Sequence, residues 1–153
     1  MRKCFLIFIV FTLAAIGGCS TTQEIFLAKG EYKKKISTVV QVLEADNSPE
    51  MNKNLESALI KEGFSIKVPL PTGTRRSAEA DAVVSYADVW RWDLAMYLRS
   101  LTVRLYDAET GDLLASGDWK DSPLHGFRDS KLVVEGVVSE MFEKVRAATK
   151  VTN

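Results

Sequence analysis

A strand, a helix and a second strand follow one another between residues 36 and 71, and this order most constrains the fold. Residues 36–43 are mostly apolar and rich in β-branched side chains, which indicates a buried strand. Apolar and polar residues alternate over 64–68, so a second strand is predicted there, and Pro69 and Pro71 end it. This order is a β-α-β unit, for which we expect a right-handed crossover and two parallel strands that are neighbours.

The segment between these strands has the start and stop signals of a helix. Asn47 can cap it with Glu50 three residues later, or Ser48 can cap it with Pro49 at the first helical position. Gly63 supplies the left-handed residue that ends it. The helix presents one apolar stripe, formed by Met51, Leu55, Ala58 and Leu59.

The second half of the chain is typical of an antiparallel meander followed by a helix. Strands are predicted over 82–92, 97–107 and 113–120, with Gly111 in the last hairpin loop. Apolar residues at helical spacing predict a final helix over 130–148. The predicted fold class is α+β: a two-layer sandwich in which a β-α-β unit precedes a three-stranded meander, with both helices on one sheet face.

The amino-terminal segment is apolar over residues 5–16, after a basic start at Arg2 and Lys3. A membrane-spanning helix needs about 20 apolar residues, so this stretch is too short to span. Small residues and then Cys19 follow it, an order typical of a secretory signal peptide. Two alternatives stay open: Cys19 is an ordinary residue after a cleaved signal, or the segment is kept as a membrane anchor.

Residues 1–20 resemble the precursors of bacterial lipoproteins, because Ile16-Gly17-Gly18-Cys19 stands where that family has its lipobox. The resemblance implies cleavage after Gly18, a diacylglycerol on the sulfur of Cys19, and an acyl chain such as palmitate on the new amino group. Ser20 follows the cysteine where an inner-membrane lipoprotein commonly has Asp, so the resemblance favours the periplasmic side of the outer membrane. The covalent lipid on Cys19 is the only cofactor expected.

The chain then divides into a signal peptide over 1–18, a lipidated cysteine with a tether over 19–33, and a single α/β domain over 34–150. Extended at about 3.4 Å per residue, the tether could hold the domain some tens of ångströms from the bilayer. Alternatively, residues 25–27 dock on the domain. Lys33, Lys34 and Lys35 either contact anionic lipid or are solvated.

Composition limits the partners and the chemistry. The chain has 20 basic and 20 acidic residues. The only charged residues that cleavage would remove are Arg2 and Lys3, so the mature protein stays close to neutral. Near-neutral charge argues against nucleic acid as a partner. Cys4 lies in the removed segment, so the mature domain has no disulfide and depends on its apolar core.

An aromatic row is the candidate interaction surface. If Val83, Ala87 and Val89 face the helices, then the aromatic residues of the first meander strand, and one from the next strand, project from the uncovered face. Exposed aromatic surface marks interaction sites. The row consists of Tyr86, Trp90, Trp92 and Tyr106.

Other interpretations of these aromatic residues stay open. The faces can be inverted so that the tryptophans belong to the core, because a register shift of one residue moves every side chain to the other face. Residues 25–27 can cover the row. Indole rings beside Asp88 and Asp93 would also suit a glycan or another small molecule.

No catalytic constellation is predicted. His125 is the single histidine, and no Gly-x-Ser-x-Gly elbow accompanies it, so a Ser-His-Asp triad is the weakest hypothesis. Without a mature cysteine other than Cys19, a zinc site of the usual composition is not expected, and no metal residue is assigned. We therefore expect a protein that is not an enzyme.

Residues 86–98 and 106–111 resemble the corresponding region of uncharacterised lipoproteins from Gram-negative bacteria. Their pattern over 36–148 is distantly similar to the amino-terminal domains of secretion and envelope-assembly lipoproteins. The resemblance implies a non-enzymatic protein on the membrane with an envelope protein as partner. A glycan or small-molecule binder is the alternative.

Overall fold

The computed structural model describes residues 21–28, 34–122 and 126–151. The predicted signal peptide, Cys19 and His125 lie outside them. The elements are strands β1 (Thr22–Leu27), β2 (Thr38–Leu43), β3 (Ser65–Pro71), β4 (Ala82–Trp92), β5 (Met96–Asp107) and β6 (Leu113–Lys120), and helices α1 (Pro49–Lys61) and α2 (Ser130–Val151).

The strands form one mixed sheet of six in the order β1-β6-β5-β4-β2-β3. β2 pairs in parallel with both β3 and β4, and the other neighbours are antiparallel. With two helices added, the predicted α+β class is confirmed. The sheet has one strand more than the sequence predicted, because β1 was not foreseen.

Helix α1 begins and ends where its signals predict. The Ser48 hydroxyl accepts a hydrogen bond from the Met51 N–H at 3.1 Å, and Pro49 is the first helical residue, so Ser48 rather than Asn47 is the cap. After the helix, Gly63 has a φ of +90°. The Phe64 N–H then returns to the Leu59 carbonyl at 3.2 Å, which directs the chain into β3.

The main core lies between the two helices and one face of the sheet. It contains the apolar stripe of α1 and the inner side chains of α2. Phe64 and Phe142 join the end of α1 to α2, with ring centroids 4.3 Å apart. The fully buried large side chains on this side include Met51, Leu55, Leu59, Leu101, Leu105, Met141 and Phe142.

A second, smaller core lies on the opposite face, at the end of the sheet where β2 and β4 begin. The segment between β3 and β4 contributes Ala80 to it, and the β5–β6 connection contributes Ala108. The remaining members are Val40, Val42, Val83 and Tyr106, with Leu70 and Leu113 packed against them. The helices therefore cover one face, and short loop segments cover part of the other.

Residues 22–27 form strand β1 rather than a free tether. They pair with β6 from Thr22 opposite Lys120 to Leu27 opposite Ala115. Ile25 and Leu27 pack against the main core. The docking alternative for residues 25–27 is thus the one observed, and it covers the edge that β6 would otherwise present.

Candidate functional site

Tyr86 lies on the helix-covered face, so its predicted placement in an exposed row was wrong. Its side chain is 3% exposed. The hydroxyl donates towards the side-chain oxygen of Asn52 at 2.9 Å and lies 3.3 Å from the Ser48 carbonyl. Burial, and secondarily the charge of Asp88, raises the pKa of the Tyr86 hydroxyl. Tyr86 is thus a core residue whose hydroxyl is satisfied by polar groups at the start of α1.

Tyr106 is also buried, but on the other face. It is 5% exposed and belongs to the smaller core, where it pairs with Val83 across β4 and β5. The guanidinium of Arg75 lies 5.2 Å from its ring centroid, a cation–π contact. Tyr86 and Tyr106 therefore cannot contribute to one surface.

The two tryptophans of β4 differ in exposure. Trp90 is half-buried against the main core, and its indole N–H donates to the Asp88 carboxylate at 2.6 Å. Trp92 is 73% exposed at the end of the strand. Of the four predicted surface residues, Trp92 alone is largely accessible. The assumption that the small side chains Val83, Ala87 and Val89 face the helices caused the error, because the helices accept Val84 and Tyr86 instead.

Away from the end that the smaller core occupies, the sheet face opposite the helices is uncovered across β1, β6, β5 and β4. Its central row joins Glu24, Asp118, Thr102 and Ala87 by register. The Asp118 carboxylate accepts hydrogen bonds from Thr102 at 2.6 Å and Ser116 at 3.0 Å. We call this surface the open face; its exposed side chains are Thr22, Glu24, Phe26, Ala87, Val89, Arg104, Asp118 and Lys120.

The hairpin between β4 and β5 ends in exposed apolar side chains. Trp92 is 73% exposed, Leu94 is 88% exposed and Met96 is 55% exposed. These three residues are called the apolar tip. Nearby, the rings of Tyr97 and Phe127 meet edge to face with centroids 5.8 Å apart. Because exposed apolar side chains that lie together often belong to interaction sites, the apolar tip is a candidate contact surface.

A cleft of about 490 Å³ lies where the ends of α1 and α2 meet the segment before β2. Phe64, Phe142 and Val145 give it an apolar floor. Arg146 and Glu62 form an ion pair at its rim, and Lys35 adds a further positive charge. Its size and lining suit a small ligand that is largely apolar.

Asp121 is the one buried carboxylate beside residues 123–125, where His125 lies. It is 3% exposed, and its Oδ1 accepts the Ser122 N–H at 2.9 Å, with the Arg128 Nε 3.7 Å away. Within the described residues, Oδ2 has no hydrogen-bond partner. His125, the histidine of the Ser-His-Asp hypothesis, lies outside the described residues.

Metal-ligand clusters and membrane-spanning helices are both absent from the described ranges. No group of three His, Cys, Asp or Glu side chains that could hold a metal ion occurs in residues 21–28, 34–122 and 126–151. Over the same ranges, no helix combines the length and apolar character needed to cross a bilayer.

No family model matches this chain, and no curated protein matches it in sequence. Among solved structures, PelC of Paraburkholderia phytofirmans, a dodecamer, is similar with a TM-score of 0.51 and 16% identity, over 82% of this chain and 97% of PelC. A variant of the same protein gives a TM-score of 0.49 and 14% identity over the same shares. A minor lipoprotein of Acinetobacter baumannii gives 0.38 and 11% identity, over 74% of this chain and 92% of that one. The chain thus shares its overall fold with PelC.

Proposed function

We propose that this chain is a non-enzymatic lipoprotein, held on the periplasmic side of the outer membrane by lipid on Cys19, whose domain binds another envelope protein. The signal-like segment and the lipobox-like Ile16-Gly17-Gly18-Cys19 support the anchor. Several acyl chains on one cysteine make membrane attachment stable, whereas a single chain is marginal. Anchoring confines the domain to a thin shell, so a weak contact is occupied through its high effective concentration.

The open face is the observation that carries the protein-binding part of the proposal. It combines an exposed aromatic residue, Phe26, with Val89 and with charges of both signs from Glu24 and Arg104. Interfaces that form and dissociate have this mixture of apolar and polar groups. Side-chain hydrogen bonds hold Asp118 in place, so part of the surface is ordered before any partner binds.

Site-specific photocrosslinking in intact cells tests this use of the open face. A benzophenone amino acid at position 87 or 104 should give one discrete protein adduct, identified by mass spectrometry. The same group at Glu56, exposed on the outer side of α1, is the control. Arg104→Glu should abolish the adduct from position 87 while leaving the melting temperature unchanged. Equal crosslinking from position 56, or an unaffected adduct in the charge variant, would overturn the assignment.

The cleft favours a second candidate function, in which the lipoprotein binds a small molecule. The aromatic row that suggested glycan binding is divided between two faces, so the cleft over Phe64 and Phe142 is the better location for a ligand. Thr149→Trp should fill it and abolish binding of a fluorescent naphthalene sulfonate probe. Glu143→Trp, exposed on the same helix, should leave binding intact. Unchanged probe binding in Thr149→Trp would exclude the cleft.

A further inference from the structure

The sheet begins very close to the predicted lipid. Thr22 is the first residue of β1, and only Ser20 and Thr21 separate it from Cys19. At about 3.4 Å per residue, the three residue steps from Cys19 to Thr22 span at most about 10 Å. The long tether expected from the sequence is therefore replaced by a short link, and the lipid can lie only a short distance from one end of the sheet.

The strand register identifies which part of the domain shares that end. Thr22 pairs with Lys120, Lys120 with Ser100, and Ser100 with Val89, so these residues form one row across four strands. Beyond this row β4 continues for three residues from Val89 to Trp92, in the direction opposite to the course of β1. At about 3.3 Å per residue, the hairpin projects about 10 Å beyond the row.

A fully extended link would bring Cys19 to about the same level as the hairpin. They are separated sideways by three strand spacings, or about 14 Å at about 4.8 Å each. A bilayer that holds lipid on Cys19 would therefore meet the apolar tip. Val68 does not lie at this level near the link to Cys19. It is 80% exposed on edge strand β3, at the far side of the sheet.

The chemistry of the tip fits a membrane interface. Tryptophan is enriched at the level of lipid headgroups, where its ring is apolar and its N–H remains hydrogen-bonded. Leu94 is the most exposed of the three apolar side chains and lies at the turn, where it would enter deepest. Arg91 and Asp93 carry opposite charges beside it, so apolar area rather than net charge would drive insertion.

We propose that the apolar tip inserts into the bilayer leaflet that carries the lipid on Cys19, so that the domain contacts the membrane at two points. This inference rests on the lipid anchor of the proposed function. Two contacts fix an orientation that a single flexible anchor does not. The strands then run at a steep angle to the membrane surface. The open face is directed parallel to that surface, towards partners on the same membrane.

Fluorescence quenching by brominated lipid tests the proposal. The lipidated protein is placed in vesicles of phosphatidylethanolamine and phosphatidylglycerol, with bromine on the acyl chains of a fraction of the lipid. The chain has three tryptophans, and Trp119 is buried while Trp90 is half-buried, so quenching should come mainly from Trp92. Trp92→Phe should lose at least half of the quenched signal.

A matched control moves the fluorophore to another exposed apolar position. In Trp92→Phe combined with Val68→Trp, a tryptophan occupies the β3 edge, and brominated lipid should quench it no more than it quenches Trp92→Phe alone. Equal quenching at both positions would mean that the domain has no fixed orientation, which overturns the proposal.

Photocrosslinking separates lipid from protein at the tip. A diazirine amino acid at position 94 should give an adduct with the mass of one phospholipid. A protein adduct, or a crosslinked dimer of this chain, as the main product would overturn insertion and assign the tip to a protein partner.

The results distinguish failure of the tip insertion from failure of the lipid anchor on Cys19. Lipidated protein without quenching overturns the tip alone, whereas absence of lipid on Cys19 overturns the anchor and the tip together.

Discussion

The Asp81 carboxylate accepts hydrogen bonds from both the backbone N–H of Thr38 at 2.9 Å and its hydroxyl at 2.8 Å. In return, the Asp81 N–H reaches the Thr38 carbonyl and hydroxyl, each at 3.0 Å. The Ser37 N–H and the Lys34 ammonium complete the shell, at 3.0 and 3.1 Å. This cluster joins the start of β2 to the start of β4, where the two parallel strands meet.

The Asp81 cluster should make the stability of the domain depend on pH in the acid range. Burial raises the pKa of the carboxyl, but the hydrogen bonds from Ser37, Thr38 and Lys34 outweigh burial and hold the pKa well below its ordinary value of 3.8. The unfolded chain then binds the proton more readily, so this stabilisation is complete above about pH 5 and is lost as pH falls towards the folded pKa.

Asp81→Asn should lower the free energy of unfolding at pH 7 by about 2 kcal/mol, because the bonds to a charged acceptor are weakened. It should also flatten the pH dependence between about pH 5 and pH 2. Urea unfolding at several pH values measures both effects. Asp46→Asn, on an exposed turn, serves as the control. If Asp81→Asn lowers the free energy of unfolding equally at every pH, so that its pH dependence keeps the wild-type slope, the role of the Asp81 charge is contradicted.

The Tyr86 hydroxyl provides a test of which face of β4 packs against helix α1. Tyr86→Phe removes the bond to Asn52, which also accepts from Gln41 at 3.0 Å, and should destabilise the domain by about 1 kcal/mol. Tyr106→Phe, equally buried on the other face, should change the free energy of unfolding by less than half as much. Thermal or urea unfolding decides this, and a larger effect at Tyr106 would contradict the assignment of faces.

Substitution of two glycines by alanine should change the stability of the domain in opposite directions. A Cβ at Gly117 would lie 2.6 Å from the Val137 Cγ1 atom and 3.0 Å from the Ile25 Cδ1 atom, so the fit of β6 against α2 and β1 requires glycine. Gly117→Ala should cost about 1–3 kcal/mol through overpacking.

Gly136→Ala is the matched control, because its Cβ would approach nothing closer than the Gln23 Oε1 atom at 3.7 Å. Gly136 lies in α2, where alanine is favoured over glycine by about 0.5–1 kcal/mol, so the melting temperature should rise. Destabilisation at both positions would show that α2 lies closer to the sheet than the contact distances indicate.

Local signals predicted most elements of the domain, but the expectation that Pro69 and Pro71 end the second strand was wrong, because β3 continues through Pro69 to Pro71 on the edge of the sheet. The Ser48 cap, Pro49 and Gly63 marked α1 because capping chemistry depends on a few adjacent residues. The α+β class followed from the order of apolar patterns along the chain.

Features that depend on distant residues were not predictable. The side of β4 that faces the helices depends on contacts with distant residues, such as that of Tyr86 with Asn52, which is 34 positions away. Strand β1 forms because β6 offers it an edge and α2 offers Gln23 a partner in Glu140, at 2.6 Å. Six residues with three apolar side chains carry too weak a period to indicate this pairing. From the sequence alone, the apolar side chains of the tip could not be distinguished from core side chains, because their exposure depends on how the sheet is assembled.

Cys19→Ser should abolish the anchor while leaving the domain folded, because the substitution lies outside the sheet, which begins at Thr22. Wild-type protein should incorporate labelled palmitate and fractionate with outer membranes, and the variant should lose the label and lose most of its membrane association. Circular dichroism should give the same spectrum for both mature domains. Cys4→Ser, within the predicted signal segment, is the matched control and should change neither labelling nor fractionation, since the proposed cleavage would remove Cys4. A Cys19→Ser protein that still incorporates palmitate would contradict the lipid assignment. One that loses palmitate but stays fully with the membrane would show that the apolar tip, or a retained amino-terminal segment, suffices to hold the domain there.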